Sequence, residues 1–243
     1  MPLIDPHDEF LTVLNLFRTD SAVHVDRLVN EMCEIVNAAA YPGWMSSTVH
    51  RGEEKFGTAN FIQWRGQEDL ESRYAGSEFK HHTVPVFRQM TTFVRLMQNE
   101  VVSVRSHPEQ DGVTEISPAR DDHTVIEVLD VDPADQHALL AAIDDESAWL
   151  LDAPGFRSQV LLRGIRSRAT DDSETGLATI GTDNDFVVTY TQWESSDVYD
   201  AHREADQPAA HRVSNQRIAA LTKARHSNTY RVVHTRSASQ PVL

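Results

Sequence analysis

Asn60-Phe61-Ile62-Gln63-Trp64 and Thr189-Tyr190-Thr191-Gln192-Trp193 end in the same Gln-Trp pair, and each leads into a polar turn. A second pair of segments, Pro42-Gly43-Trp44 and Pro154-Gly155-Phe156, precedes them in the same order. Two ordered matches mark an internal repeat, which fixes how many structural units the chain contains before any fold is considered. The earlier matches lie 112 residues apart and the later ones 129, so about 17 residues are inserted in the second copy. The segment from Arg166 to Asn184, rich in Ser, Thr, Asp and Gly, is the place for them. Its composition is that of a surface loop, either a lid over a pocket or a plain flexible excursion.

Working outward, each copy reads β-α-β-β-α-β. In the first, Phe10–Phe17 alternates as a strand, and Ser21–Ala39 carries Val23, Val25, Leu28, Val29, Met32, Ile35 and Val36 close to helical spacing. Strands follow at Trp44–His50 and Thr58–Trp64, then a broken helical region over Glu68–Met97 and a strand at Val101–Arg105. The second copy gives a strand at Thr124–Leu129, a helix over Pro133–Leu151 with Asp132 as its cap, and strands at Arg157–Arg163 and Phe186–Trp193. Helical pieces over Ser196–Arg225 and a strand at Thr229–Thr235 complete it. This is the split βαβ pattern twice, an α+β class of two tandem ferredoxin-like (βαββαβ) modules. The boundaries are 1–106 for the first module, 107–122 for a polar linker, and 123–243 for the second with its inserted loop 166–184. A module of this kind leaves one sheet face bare, so two copies in one chain are expected to cover each other around a barrel-like core.

Composition narrows the partners. Lys+Arg 22 against Asp+Glu 37 gives a net charge of −15, which repels phosphate backbones and anionic lipid and argues against nucleic acid or membrane surfaces. The single cysteine, Cys33, allows no internal disulfide and sits in an apolar stretch as a small buried hydrophobe. MPLIDPHDEF is no secretory leader and no apolar run is long enough to span a bilayer, so a cytoplasmic protein is expected.

The stretch Val187–Ser195, with Tyr199 six residues after Trp193, closely resembles the third strand and following turn of the antibiotic biosynthesis monooxygenases, a branch of the dimeric α/β barrel superfamily. Ala59–Trp64 resembles it in the first copy. The resemblance implies an intrachain version of the dimeric α/β barrel. It also implies an oxygenase that uses dioxygen on an aromatic polyketide: hydroxylation, quinone formation or oxidative ring opening of an angucycline- or anthrone-type substrate in antibiotic biosynthesis. Family members line their pocket with an Asn four residues before the Trp, the Trp, and a Tyr six residues after it. The first copy keeps Asn60 and Trp64 but has Leu70 at the Tyr position; the second keeps Trp193 and Tyr199 but has Thr189 at the Asn position. A family Arg on the second helix corresponds to Arg88 or Arg212.

Such chemistry needs an apolar ring site, a proton acceptor and a donor to the developing oxyanion. Trp64, Trp193, Tyr199 and Arg212 are the candidate substrate-binding residues. Asn60 is the candidate hydrogen-bond donor, and His81, His82 or His211 the candidate base, since these histidines follow each Trp at a similar distance. His50 and His202 are further candidates by position, and a strand tryptophan packs a core as readily as it lines a site. No metal is expected: the adjacent His81 and His82 point apart on a helix, and His202 and His211, nine apart, would converge only by an accident of folding. No dinucleotide fingerprint is present, so the cofactor is either none tightly bound or reduced flavin (FADH2 or FMNH2) from a separate flavin reductase. Two rival readings of the pattern are a haem-degrading monooxygenase, ligated through His82 or His211, and a non-catalytic module that holds a small ligand. Pairing of the chain into a homodimer is compatible with all of them.

Overall fold

The two Pro-Gly turns of the repeat have one physical cause. Gly43 and Gly155 both adopt left-handed backbone, with φ of +73° and +68°, a region costly for any residue with a Cβ. Space is also denied: a Cβ on Gly43 would lie 2.1 Å from the Asp69 carboxyl group, and one on Gly155 would lie 2.5 Å from Val198 Cγ1. Each turn therefore feeds a strand while clasping the helix that starts after the module's strand tryptophan.

A computed structural model describes residues 2–108, 112–171, 176–206 and 208–238. The first module comprises β1 (Leu3–Ile4), β2 (Leu11–Arg18), α1 (Ala22–Ala38), β3 (Trp44–Gly52), β4 (Gly57–Trp64), α2 (Gln67–Ala75), a π-helical turn (Phe79–Thr83), α3 (Val84–Met90) and β5 (Phe93–Ser106). After β6 (Thr114–Glu115), which pairs with β1, come β7 (His123–Val131), α4 (Gln136–Ser147), β8 (Phe156–Thr170), β9 (Leu177–Ile180), β10 (Phe186–Trp193), α5 (Ser196–Glu204), α6 (Ala209–Leu221) and β11 (Thr222–Ser237). No helix of the described residues is long and apolar enough to cross a membrane.

Within each module the strands run in the ferredoxin-like order, β5-β2-β4-β3 and β11-β7-β10-β8. The modules then join edge to edge, β3 to β11 and β5 to β8, closing an eight-strand barrel with helices outside. Because side chains alternate along a strand, one face of every strand fills the barrel. Leu14, Phe61, Met97, Ile126, Val160 and Val188 interdigitate there with Tyr190. His50 enters the same interior, 2.9 Å from the Tyr190 hydroxyl, and so ties the two modules together. Burial holds the His50 imidazole neutral, with its pKa lowered to about 4, and pushes the Tyr190 phenol up.

Three sequence expectations need correction. Helix does not extend to Met97: it ends at Met90, and β5 begins at Phe93, because Val94, Leu96 and Met97 alternate across the sheet instead of following a helix face. The last strand starts at Thr222, seven residues earlier than Thr229, since that stretch pairs with β7 before β11 reaches β3. The inserted segment 166–184 is no simple loop: β8 continues to Thr170 and pairs with β9, making a hairpin that widens the sheet. Residues 172–175 of that insertion lie outside the described residues.

Candidate functional site

The outer face of each half-barrel is roofed by its own helices, and the two roofs differ. In the first module α1 lays Val25, Leu28, Met32 and Val36 on the sheet, a helical stripe started by the Ser21 hydroxyl accepting from the His24 amide. Leu70, Tyr74, Phe79 and Phe87 then close over Trp64, and the whole set is one apolar cluster. Trp64 is buried beside Tyr41 with its Nε1 unpartnered. Asn60, directly across the ladder from Asn15, is also buried, and the Oδ1 of each lacks a partner.

In the second module the equivalent space is open. A cleft of about 580 Å³ lies between the sheet and the roof formed by α4, α5, α6 and the turn carrying Trp149. Trp193 forms part of its floor, held by Phe156 edge-on at 5.6 Å, by Tyr199 at 5.6 Å and by the His202 ring at 4.7 Å. Ser195 caps α5 by accepting from the Val198 amide, which fixes the angle at which Tyr199 and His202 reach the tryptophan. Glu54 and Lys55, from the β3–β4 turn of the first module, close one side.

The polar groups converge from the roof. His211 on α6 places Nδ1 3.4 Å from Oε1 of Glu146 on α4, and both side chains are largely sheltered from solvent. Glu146 Oε2 is buried without a partner, and the His211 ring lies 4.6 Å from that of Trp149. His202 faces His211 across the cleft; burial first, and the nearby imidazole second, lower its pKa. Tyr199 is shifted the other way, raised by burial and by the Glu127 carboxylate on the floor. Arg203 lies 5.4 Å over the Tyr199 ring and also borders the cleft. The cleft thus offers aromatic walls, a carboxylate-oriented imidazole and a protonated phenol within one enclosure, which suits proton removal from a bound ring and support of a nascent oxyanion.

The proposed site residues divide between the two roofs. Trp193, Tyr199 and His211 share the cleft, and His202 joins them, so the pair nine residues apart does converge. Asn60 and Trp64 lie in the first module's filled layer. His81 and His82 are exposed on the π-helical turn, and Arg212 is exposed on α6, one residue from His211 but outside the cleft lining. Glu146 was not anticipated, since Asp144-Asp145-Glu146 reads as a solvated run. The signal was there: Leu139 and Ile143 define the buried face of α4, and the next turn of that stripe falls on Glu146 and Ser147.

No protein-family model matches the chain, and no curated protein matches it. Among solved structures, it is similar along its whole length to an anthrone oxidase-like protein, at 46% identity, covering 100% of this chain and 98% of the other with a TM-score of 0.90. A Fusobacterium nucleatum protein named provisionally as a monooxygenase matches at 11% identity, 95% and 96% coverage and a TM-score of 0.60. A Lactobacillus acidophilus protein, likewise provisionally named a monooxygenase, matches at 10% identity, 94% and 96% coverage and a TM-score of 0.52. These last two share the fold.

Proposed function

Since the chain belongs to the same family as the anthrone oxidase-like protein, within the antibiotic biosynthesis monooxygenase-like ferredoxin-fold barrels, and is an oxygenase, we propose that it oxidises an anthrone- or angucycline-type aromatic polyketide in the second module's cleft. The observation that carries this reading is the Glu146–His211 pair set against aromatic walls.

In this reading Trp193 and Trp149 bracket the fused rings, which a cleft of this size accommodates. His211 takes the proton from the acidic ring carbon, and Glu146 orients the imidazole and stabilises the imidazolium that forms. Tyr199, kept protonated by its raised pKa, donates to the oxyanion of the resulting enolate. The enolate gives its electrons to dioxygen, a hydroperoxide forms at the ring carbon, and loss of water leaves the quinone carbonyl. One oxygen atom enters the product and one leaves as water, so anthrone and dioxygen give anthraquinone and water with no further reductant. Reduced flavin from a reductase is therefore not required for this step.

Dioxygen uptake and anthraquinone formation with anthrone, above the spontaneous rate and with and without chemically reduced FMN, test the proposal. Enzyme-dependent turnover without flavin, lost in His211→Ala, is the expected result. Absence of turnover above the blank in both conditions overturns it, and turnover confined to the flavin arm replaces the substrate-driven route.

A further inference from the structure

A second cavity, of about 320 Å³, opens at one end of the barrel, and neither Glu146 nor His211 borders it. Its wall is built from barrel-facing side chains, Leu16, Ile126, Val128 and Tyr230. At its lip Phe56 and Phe93 leave 53% and 41% of their surface exposed, a large apolar area for a soluble face to show without a partner.

The charges around this mouth are unbalanced. Asp130 is engaged, accepting from Arg95 Nη1 at 2.9 Å and facing His226 Nε2 at 3.4 Å. Arg18 sits 5.5 Å over the Phe93 ring and has no ion pair among the described residues. Lys55 Nζ donates to the Ser227 carbonyl at 2.7 Å, a bond that does not neutralise its charge. Glu54, next to Lys55, borders the cleft and acts on Tyr199 there, and it also lines a shallow hollow with Arg18, Lys55 and Phe56, so it offsets one of these two charges. With Arg95 balanced by Asp130, the pair Arg18 and Lys55 against Glu54 leaves one positive charge in excess at an apolar opening, in a chain of net charge −15, and so favours a single anionic group there.

We propose that the barrel mouth is a second binding site, for a small hydrophobic monocarboxylate. The apolar body lies against Ile126, Val128 and Tyr230, with the carboxylate at the lip between Arg18 and Lys55. The volume is at the lower end for small-molecule sites and suits a medium-length acyl chain or a single substituted ring.

Decanoate titrated into the full chain by isothermal calorimetry tests it. The expected result is one site per chain, weakened about tenfold or more by Arg18→Glu, abolished by Ile180→Trp, which fills the cavity that Ile180 of β9 lines, and unchanged by His211→Ala. Decan-1-ol, lacking the charge, binds about tenfold or more weaker. No binding heat with the wild-type chain overturns the proposal. So does binding that survives both mouth substitutions, or binding that falls in His211→Ala alone. Arg18 is exposed, so its substitution leaves a folded chain even where Ile180→Trp fails to fold.

Discussion

α2 and α5 each begin three residues after a buried strand tryptophan and each run for nine residues, yet α2 fully buries Leu70 and Tyr74 while α5 fully buries no residue. Counting from Trp64 and Trp193, Leu70 matches Tyr199, Arg73 matches His202, and Tyr74 matches Arg203. In the first module Leu70 and Tyr74, with Phe79 and Phe87, pack down on the tryptophan, while Arg73 lies over the Tyr41 and Phe79 rings. In the second, Tyr199 and His202 contact Trp193 through their rings but, with Arg203, border an open cleft and do not fill it. Close packing contributes stability in the first copy, and its absence in the second leaves an open cleft, which the proposed function uses for the reaction.

The largest effect that sharpens this contrast is expected at the dyad. His211→Ala should lower kcat by about 100-fold or more, the range for loss of a positioned general base. Glu146→Gln should fall in the same direction with a smaller loss, and the equivalent test in the first module, His82→Ala, should leave kcat unchanged. A large loss in His82→Ala would break the assignment of chemistry to the second module.

The shared interior supplies the next. His50 is fully buried with its pKa lowered to about 4 against an ordinary 6.5, so below pH 6.5 the unfolded chain binds a proton that the folded chain does not. Stability is therefore complete above pH 6.5 and falls as pH drops towards 4, by up to about 3 kcal/mol from this one group. Thermal unfolding followed from pH 7 to pH 4 should show the fall, and His50→Gln should flatten it. An equal slope in that variant would place the acid sensitivity elsewhere, His202 in the cleft being the next imidazole held neutral.

The two left-handed glycines separate folding from function. Gly43→Ala and Gly155→Ala should each cost about 1–2 kcal/mol of stability in denaturant unfolding. Only Gly155→Ala, which pushes on Val198 at the start of α5, should also raise KM. Equal KM values in both variants would mean that α5 does not shape the cleft.

The smallest effect is expected at Asn60. Its buried, unpartnered Oδ1 is a desolvation cost without a bond, so Asn60→Leu should change stability by under about 1 kcal/mol and leave kcat within about threefold of wild type. A collapse of turnover would return the first module to the reaction.

Much of the fold was legible because its signals are local. The Pro-Gly turns, the Val25-Leu28-Met32-Val36 stripe and the alternation through Trp64 and Trp193 each depend on neighbours a few residues away. The long strands β5, β8 and β11 were read short: the residues that extend β8 pair with β5 of the other module and with β9, those that extend β5 pair with both β2 and β8, and those that start β11 pair with β7. Trp193, Tyr199 and His211 could be named from the sequence, whereas Glu146 hid in an acidic run.

By itself, then, the sequence determined two βαββαβ modules and an aromatic pair in the second, because periodicity and turn chemistry act within a module. Which module is hollow, and that Glu146 meets His211 while His50 meets Tyr190, only the tertiary structure decided. Those facts depend on side-chain volumes and on encounters between residues 65 and 140 positions apart, which barrel closure brings together and no local pattern encodes.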